Sequence, residues 1–300
     1  MPHVFVIGAT GYVGRHLARH LAANGHRVSG LARSAMAGAD LAKDGIEPVA
    51  ADLDGHFDGV VAAARAADAT IYAAQVALER EPEVLRALCD ALAGTGKSLI
   101  FLSGSGVFLQ RTGGAWSPDA FAEDDRFTPE PLAAARFEAE GIVRAAADTG
   151  LRTMIVRPPV IWGPGDDGPV AKVYRSVAAM GAACYIGAGL AAYSNVHSAD
   201  LARLFEIVLD RGQAGALYHA VGGEIPYRWI AEAVAHDLGV STRSLSMTEA
   251  EEVFGPFGAL LLSACSRERD PRTRTELGWE PQYHDMLDQI GEPRLRALVA

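Results

Sequence analysis

Three glycines near the N-terminus, Gly8, Gly11 and Gly14, have the spacing of a turn that can bind a pyrophosphate. They follow an apolar, β-branched run at residues 4–7 and precede a pattern typical of an amphipathic helix. Glycine lets a ligand approach the backbone closely, and the first turn of a helix has N–H groups without helical acceptors. The pattern predicts a dinucleotide site, with a purely structural glycine turn as the alternative. The neighbouring residues expected to take part are Thr10, Tyr12, Val13 and Arg15.

The end of the second predicted strand bears on which dinucleotide is bound. An acidic side chain there would hydrogen-bond the adenosine 2′-hydroxyl and favour NAD. This chain has Ala32 instead, followed by Arg33 and Ser34. A guanidinium and a hydroxyl can bind a 2′-phosphate, and Arg15 could join them. We therefore expect NADP rather than NAD; the alternative is that both arginines are solvated surface charges.

Two more strand ends contribute candidate contacts. Asp52 and Leu53 follow the third predicted strand, where the adenine is expected, and Ala73 and Ala74 follow the fourth. The small side chains after the fourth strand leave room beside the nicotinamide half of the ligand. Packing alone is the alternative explanation for these alanines.

Short apolar runs alternate with helical patterns in the first half of the chain, which predicts an α/β fold with a parallel sheet and crossover helices. The predicted strands are residues 3–7, 27–32, 46–50, 69–72, 98–102 and 152–156. The predicted helices lie near residues 12–24, 56–66, 80–93 and 131–148.

Beyond residue 157 the pattern changes to short strands mixed with helices. We expect residues 1–157 to form the nucleotide-binding domain and residues 158–300 to form mostly a substrate lobe, with segments such as 190–220 returning to the sheet. The predicted strands of this part are residues 183–186, 194–197, 216–220 and 243–246. Its predicted helices are near residues 168–181, 198–211 and 226–238.

Composition narrows the class of protein. The formal net charge of −10 argues against a nucleic-acid or anionic-membrane partner. The three cysteines are widely spaced and follow no metal-ligand pattern, which indicates buried thiols in a reducing compartment. No apolar run approaches 18 residues, and the first predicted strand leaves no room for a signal peptide. We expect a cytoplasmic protein.

Besides the glycine turn, short motifs follow one another in a fixed order along the chain: ADL at 51–53, FLSGSGVF at 101–108, VRPPVIWGPGD at 156–166, NVHSADL at 195–201 and LGW at 277–279. Together they resemble the extended short-chain dehydrogenase/reductase superfamily, in its NAD-dependent epimerase/dehydratase branch. The resemblance implies a Rossmann-type doubly wound parallel sheet that binds NAD(P), and a smaller C-terminal lobe that closes over a small-molecule substrate.

The same resemblance implies a Ser/Thr, a Tyr and a Lys as catalytic residues, and this chain departs from all three. The Tyr and Lys positions fall on Leu132 and Arg136, and the Ser/Thr position falls on Gly104. Leucine has no proton to transfer, and arginine does not release one near neutral pH. Arginine can still hydrogen-bond a ribose; an ion pair between Arg136 and Glu140, four residues later, is the structural alternative.

Other side chains are candidates for the missing chemistry. Ser105 could supply a hydroxyl, and Tyr193 or His197 could supply a proton from the lobe. Core packing is the alternative for Tyr193, and a hydrogen-bonded structural role is the alternative for His197. Pro158 and Val160, after the sixth strand, complete the expected cofactor contacts.

Three functions are consistent with this pattern. The first is an atypical oxidoreductase that acts on a small carbonyl, imine or enone-type substrate without the tyrosine–lysine pair. The second is a non-catalytic NADP(H)-binding sensor or regulatory protein. The third is an epimerase/dehydratase-like lyase or isomerase. Apolar residues of the helices near 80–93 and 131–148 also allow a homodimer.

Overall fold

The computed structural model describes residues 1–165 and 168–299, so Asp166 of the sequence motif at 156–166 lies outside the described residues. Its strands are β1 (His3–Ile7), β2 (Arg27–Ala32), β3 (Glu47–Ala50), β4 (Ala69–Tyr72), β5 (Ser98–Leu102), β6 (Arg152–Arg157), β7 (Val160–Trp162), β8 (Ala183–Ile186), β9 (Ala192–His197), β10 (Ala216–His219), β11 (Gly223–Pro226) and β12 (Thr242–Leu245). Its helices are α1 (Tyr12–Ala23), α2 (Ala35–Lys43), α3 (Phe57–Ala66), α4 (Glu81–Leu92), α5 (Ala134–Ala145), α6 (Pro169–Met180), α7 (Ser198–Arg211), α8 (Tyr227–Leu238), α9 (Met247–Ser263), α10 (Pro271–Leu277) and α11 (Pro293–Arg296).

A seven-stranded parallel sheet organises the first part of the chain, in the order β10-β6-β5-β4-β1-β2-β3. Its central strands are buried on both faces, which explains their continuous apolar runs rather than alternating ones. Helices α1 and α7 pack together on one face, and α4 and α5 pack together on the other. The sheet is therefore doubly wound, as the sequence predicted.

The lobe has its own apolar core between α6, α8 and α9. A three-stranded sheet, in the order β11-β9-β7, and the pair β12-β8 cover this core. The lobe begins at β7, three residues after the end of β6, so a very short connection joins it to the carboxyl edge of the large sheet.

A late segment joins the two parts of the molecule. Cys265 and Glu268 form bridges to Gln110 and Phe121, which lie in the loop that follows β5, and Ser266 bridges to Tyr193 of the lobe. We call residues 264–270 the return segment. It leads into α10, which packs against β10 at the edge of the large sheet.

Several elements differ from the predicted ones. The predicted helix near 131–148 is a short 3₁₀ turn at Pro131–Ala133 followed by α5. Helices α2, α9, α10 and α11 and strands β7 and β11 were not predicted. In α9 the φ of 72° at Gly255 and the proline that follows it break the helical pattern. None of the helices in residues 1–165 and 168–299 has the length and apolar character of a membrane span.

Candidate functional site

The glycine turn connects β1 to α1 in a conformation that requires its glycines. Gly8 has a φ of 95°, and a Cβ there would lie 2.5 Å from the carbonyl oxygen of Ala73. A Cβ on Gly14 would lie 2.1 Å from the carbonyl oxygen of Gly8. The turn, the start of α1 and the end of β4 are therefore packed backbone against backbone.

Gly11 has a different role, because it faces open space. It is the N-cap of α1, and among the described residues a Cβ on it would meet just the Gly8 carbonyl oxygen, at 3.4 Å. Gly11 has no side chain to cap the helix, and the first turn of α1 carries no acidic residue. The amide groups of the first turn, such as those of Val13 and Gly14, remain oriented for an anion. The turn therefore fits a pyrophosphate.

A cavity of about 830 Å³ opens at the carboxyl ends of the parallel strands, next to this turn. Eleven of the residues predicted to bind the cofactor line it: Gly8, Thr10, Gly11, Tyr12, Val13, Arg33, Leu53, Ala73, Ala74, Arg136 and Pro158. The lining also contains residues that were not predicted to bind the cofactor: Leu31, Asp54, Gln75, Val76, Ala77, Arg80, Leu102, Ser103, Gly104, Pro159 and Ile161.

Five predicted contacts lie outside this lining. Gly14 packs beneath the turn, and the exposed Arg15 reaches back to the Thr10 carbonyl oxygen at 3.5 Å. Val160 packs against the lobe core. Ser34 and Asp52 line a neighbouring cavity of about 650 Å³ between α2 and the end of β3.

Asp52 uses its carboxylate within its own turn. Its Oδ1 accepts hydrogen bonds from the backbone N–H groups of residues 54–56. These bonds, led by that of Gly55, lower the pKa of Asp52. The carboxylate thus shapes the loop after β3, and the contact of Asp52 with the adenine stays a prediction.

Arg33 lies where the two cavities meet and lines both of them. It is exposed and forms no hydrogen bond or ion pair with any described residue. The Ser34 hydroxyl beside it accepts a 3.2 Å hydrogen bond from the Ala37 N–H and caps α2. Arg33 thus presents, at the end of β2, a guanidinium that no described side chain pairs with.

Arg136 occupies the other end of the large cavity. Its Nε and Nη2 donate to Glu81 Oε2 and Oε1 at 2.9 and 2.8 Å, a bidentate pair. The Glu81 side chain is 1% exposed and that of Arg136 is 20% exposed. Burial raises the pKa of Glu81, while the charge of Arg136 opposes that rise. The alternative of a pair between Arg136 and Glu140 is wrong, because Glu140 has other partners.

Glu140 belongs to a buried polar chain below the cavity. It accepts a hydrogen bond from the Ser103 hydroxyl at 2.5 Å and a bidentate pair of bonds from Arg157. Arg157 Nη1 lies 3.0 Å from His219 Nε2. Since arginine only donates, His219 Nε2 accepts, and His219 Nδ1–H donates to the Arg269 carbonyl oxygen at 2.9 Å. This chain locks the ends of β5, β6 and β10 together.

Glu268 of the return segment lies 3.9 Å from His219 Nε2, a separation that would suit an ion pair. The pKa shifts argue against one. Burial raises the pKa of Glu268 well above its usual value and lowers that of His219 to about 3. Neither Glu268 carboxyl oxygen has a hydrogen-bond partner among the described residues. Burial therefore favours the neutral form of both groups.

The positions that correspond to the usual catalytic residues have distinct surroundings. Leu132 is 57% exposed in the 3₁₀ turn before α5 and is not part of the cavity lining. Gly104 lines the cavity, and the nearest described atoms to a Cβ on it would be Arg136 Nη1 and the Pro158 carbonyl oxygen, both at 3.9 Å. Because Gly104 has no side chain, there is space beside the Arg136 guanidinium.

The structure does not bring Ser105, Tyr193 and His197 to the cavity lining. Ser105 is buried after β5 and shares a hydrogen bond with the Tyr193 hydroxyl. Tyr193 faces the lobe core, and burial raises its pKa to about 12. The packing that makes these side chains inaccessible also makes them poor proton donors at neutral pH.

His197 has a structural environment. Its Nδ1 accepts a 3.2 Å hydrogen bond from the Ala199 N–H and so caps α7. Its ring stacks on Tyr283 at 4.0 Å and meets Trp162 edge to face at 4.7 Å. Burial lowers the pKa of His197. This environment agrees with the hydrogen-bonded structural role that was the alternative to proton donation by His197.

The comparisons with known proteins agree with this architecture. The model of the NAD dependent epimerase/dehydratase family matches residues 4–221. An uncharacterized protein of Schizosaccharomyces pombe is 32% identical over 298 residues, which cover 96% of this chain and 97% of that protein. The decarboxylating sterol-4-alpha-carboxylate 3-dehydrogenase of Dictyostelium discoideum is 24% identical over 268 residues, 82% of this chain and 80% of the enzyme.

A solved structure shares the fold over almost the whole chain. It is DesIV, a dTDP-glucose 4,6-dehydratase from Streptomyces venezuelae with NAD and TYD bound. The two structures superpose with a TM-score of 0.76 and 22% sequence identity, over 99% of this chain and 96% of DesIV. The family match, which covers both the glycine turn and the strands around the cavity, decides the assignment: this chain belongs to the NAD-dependent epimerase/dehydratase family.

Proposed function

We propose that this chain is an atypical NADP-dependent oxidoreductase that acts on a small carbonyl, imine or enone-type substrate without a tyrosine–lysine pair. The observation that carries the proposal is the lining of the large cavity, with the glycine turn and Arg33 towards one end and Arg136 at the other. Among the described residues of that lining, the one tyrosine is Tyr12 at the glycine turn, and there is no lysine.

A bound nicotinamide dinucleotide would supply hydride exchange with the substrate. The glycine turn and the start of α1 hold the pyrophosphate, and Arg33 binds the 2′-phosphate. Arg136 can donate hydrogen bonds to the nicotinamide ribose, but arginine does not release a proton near neutral pH. Solvent is then the source of the proton, since Ser105, Tyr193 and His197 lie outside the cavity lining.

The relatives support redox chemistry over a purely structural use of the site. The Dictyostelium relative is a dehydrogenase, and its resemblance extends over 82% of this chain. Two other functions also have support. Gly104 and the exposed Leu132 offer no hydroxyl group, which favours a non-catalytic NADP(H) sensor. Family membership favours an epimerase/dehydratase-like lyase or isomerase.

The test combines binding with turnover. Purified protein is titrated with NADPH and with NADH by calorimetry, then mixed with NADPH and panels of ketones, imines and enones while nicotinamide absorbance is recorded. We expect tighter binding of NADPH than of NADH, and loss of absorbance with at least one substrate class. NADPH binding without turnover, together with a change in oligomeric state, would support the sensor. Conversion of a sugar nucleotide without net NADPH consumption would support the lyase or isomerase.

A further inference from the structure

The carboxylate of Glu81 holds the guanidinium of Arg136 in one orientation. Both carboxylate oxygens are engaged, one by Nε and the other by Nη2. Two parallel hydrogen bonds to a planar fork remove the rotation that a single bond would allow. Glu81 is itself fixed, since it is the first residue of α4 and its side chain is almost completely buried.

The orientation leaves Nη1 as the free end of the guanidinium. Nη1 lies near Gly104, at 3.9 Å from where a Cβ would be, and Gly104 and Arg136 both line the cavity. The same region of the lining includes Leu102 and Pro158, which contribute apolar surface. Nη1 therefore presents its N–H groups to the space that the missing side chain of Gly104 leaves open.

The cost of burying Glu81 indicates that this pair is more than a surface contact. Burial disfavours a charged carboxylate, and the partner that compensates for this is Arg136. The buried Tyr72 hydroxyl nearby has no hydrogen-bond partner among the described residues, so it does not share the task. The position of Glu81 at the N-terminus of α4 also favours its negative charge.

We propose that Glu81 is a positioning residue, which aims Arg136 Nη1 at an acceptor oxygen in the nicotinamide half of the bound dinucleotide. The inference rests on the proposed function, because it needs a dinucleotide in the large cavity. Glu81 does not touch that ligand itself, since it is absent from the cavity lining. Its effect must therefore pass through Arg136.

The sheet separates this contact from the 2′-phosphate contact. Arg33 follows β2, and Gly104 follows β5, which is three strands away in the sheet. Neighbouring strands are about 4.8 Å apart, so the two ends lie roughly 14 Å apart. A ligand that has just the adenosine half can reach Arg33 without reaching Arg136.

The experiment compares two ligands on five proteins. The ligands are NADPH and adenosine 2′,5′-bisphosphate, which lacks the nicotinamide half; their affinities are measured by calorimetry. The proteins are the wild type, Glu81→Gln, Arg136→Met, the double variant and the control Glu83→Gln, an exposed carboxylate on the same helix. Thermal unfolding and near-UV circular dichroism check that each variant folds.

We expect Glu81→Gln to weaken NADPH binding by about tenfold, a typical effect of disturbing one charge-assisted hydrogen bond. Binding of adenosine 2′,5′-bisphosphate stays at the wild-type value, and Glu83→Gln changes neither affinity. In the Arg136→Met background the Glu81 substitution has no further effect, because the two residues act as a unit. If Glu81→Gln fails to fold, Glu81→Asp, which keeps the charge but withdraws the carboxylate, gives the same ligand-selective loss.

Three results would overturn the inference. One is equal weakening of both ligands by Glu81→Gln, which is the signature of a general structural role. Another is that the fold-losses of NADPH affinity caused by the Glu81 and Arg136 substitutions multiply in the double variant. The third is unchanged NADPH binding in Glu81→Gln, with wild-type binding intact. Failure of the wild type to bind either NADPH or NADH overturns the proposed function as well, so the two failures are distinguishable.

Discussion

Arg157 and His219 face each other across neighbouring parallel strands, and the Arg157 guanidinium donates a hydrogen bond to the His219 imidazole over 3.0 Å. The guanidinium also lies over the rings of Phe108 and Phe127, each at 5.4 Å. A permanent cation directly beside a buried imidazole disfavours a second positive charge. This relationship makes the stability of the protein depend on pH in a way that can be measured.

His219 destabilises the fold as the pH falls. Burial and the charge of Arg157 lower its pKa from 6.5 to about 3, so between these values the unfolded chain binds a proton that the folded chain does not. The free energy of unfolding therefore decreases as the pH drops from 6.5 towards 3. The slope of the unfolding free energy against pH reports how many protons the chain takes up on unfolding. We expect His219→Asn to lower that number by up to about one, in urea unfolding measured from pH 7 to pH 4. If the variant and the wild type show the same dependence of unfolding free energy on pH, groups other than His219 cause the loss of stability at low pH.

Glu268 has the opposite effect, because it destabilises the fold as the pH rises. Burial raises its pKa above the usual 4.5, so the folded chain retains a proton that the unfolded chain loses as the pH rises. Stability contributed by the neutral carboxyl is then present at pH 4 and is lost at higher pH. We expect Glu268→Gln to raise Tm by about 2 °C or more at pH 8 and to have no such effect near pH 4. Glu251→Gln, at an exposed carboxylate, is the control and leaves Tm unchanged.

Arg33 distinguishes the two dinucleotides. Its guanidinium lies at the end of β2 without a protein partner among the described residues, so a 2′-phosphate would gain a charge-assisted bond there. We expect Arg33→Ala to weaken NADPH binding by roughly tenfold to a hundredfold and to leave NADH binding unchanged. Arg27→Ala is the matched control, since Arg27 lies at the other end of β2 and pairs with Glu47. Equal losses for both dinucleotides would contradict a role in 2′-phosphate recognition.

Two glycines of the same turn separate folding from binding. A Cβ on Gly14 would meet backbone at 2.1 Å, so Gly14→Ala should cost about 1–3 kcal/mol of unfolding free energy. A Cβ on Gly11 would meet the Gly8 carbonyl oxygen at 3.4 Å, an ordinary contact, but it would narrow the cavity. We expect Gly11→Ala to keep its Tm within about 2 °C and to lose dinucleotide affinity. The idea fails if Gly11→Ala binds NADPH like the wild type.

Local patterns predicted the parts of the site that local geometry creates. The strand before Gly8 and the helix after Gly11 are neighbours in sequence, so their periodicity was sufficient to predict the glycine turn. The pair of Glu81 and Arg136 joins residues 55 positions apart and could not be found this way. No periodic pattern marks Glu81, which in sequence is one of several acids near the start of a helix.

Ser34 and His197 show a second limit of sequence reasoning. Both lie in motifs that suggested ligand chemistry, and both cap the helix that follows them. A polar side chain directly before a helix can accept a hydrogen bond from a first-turn N–H group whether or not a ligand is present, and serine is among the residues favoured there. The same polar group can therefore bind a ligand or cap a helix, and the sequence alone does not distinguish these two roles. The three-dimensional packing decides between them.

The return segment has a consequence for how the chain reaches its native state. It closes the loop after β5, and the Cys265 thiol reaches the Ala115 carbonyl oxygen across 150 positions of sequence. Contacts between residues so far apart in sequence raise the contact order of a fold, and proteins of higher contact order fold more slowly. During synthesis, the bridges to Gln110, Phe121 and Tyr193 cannot form until residues 265–268 have been made. A chain that is interrupted before residue 264 keeps the sequence of the glycine turn but lacks these three bridges, and incompletely paired segments of this kind are prone to aggregation.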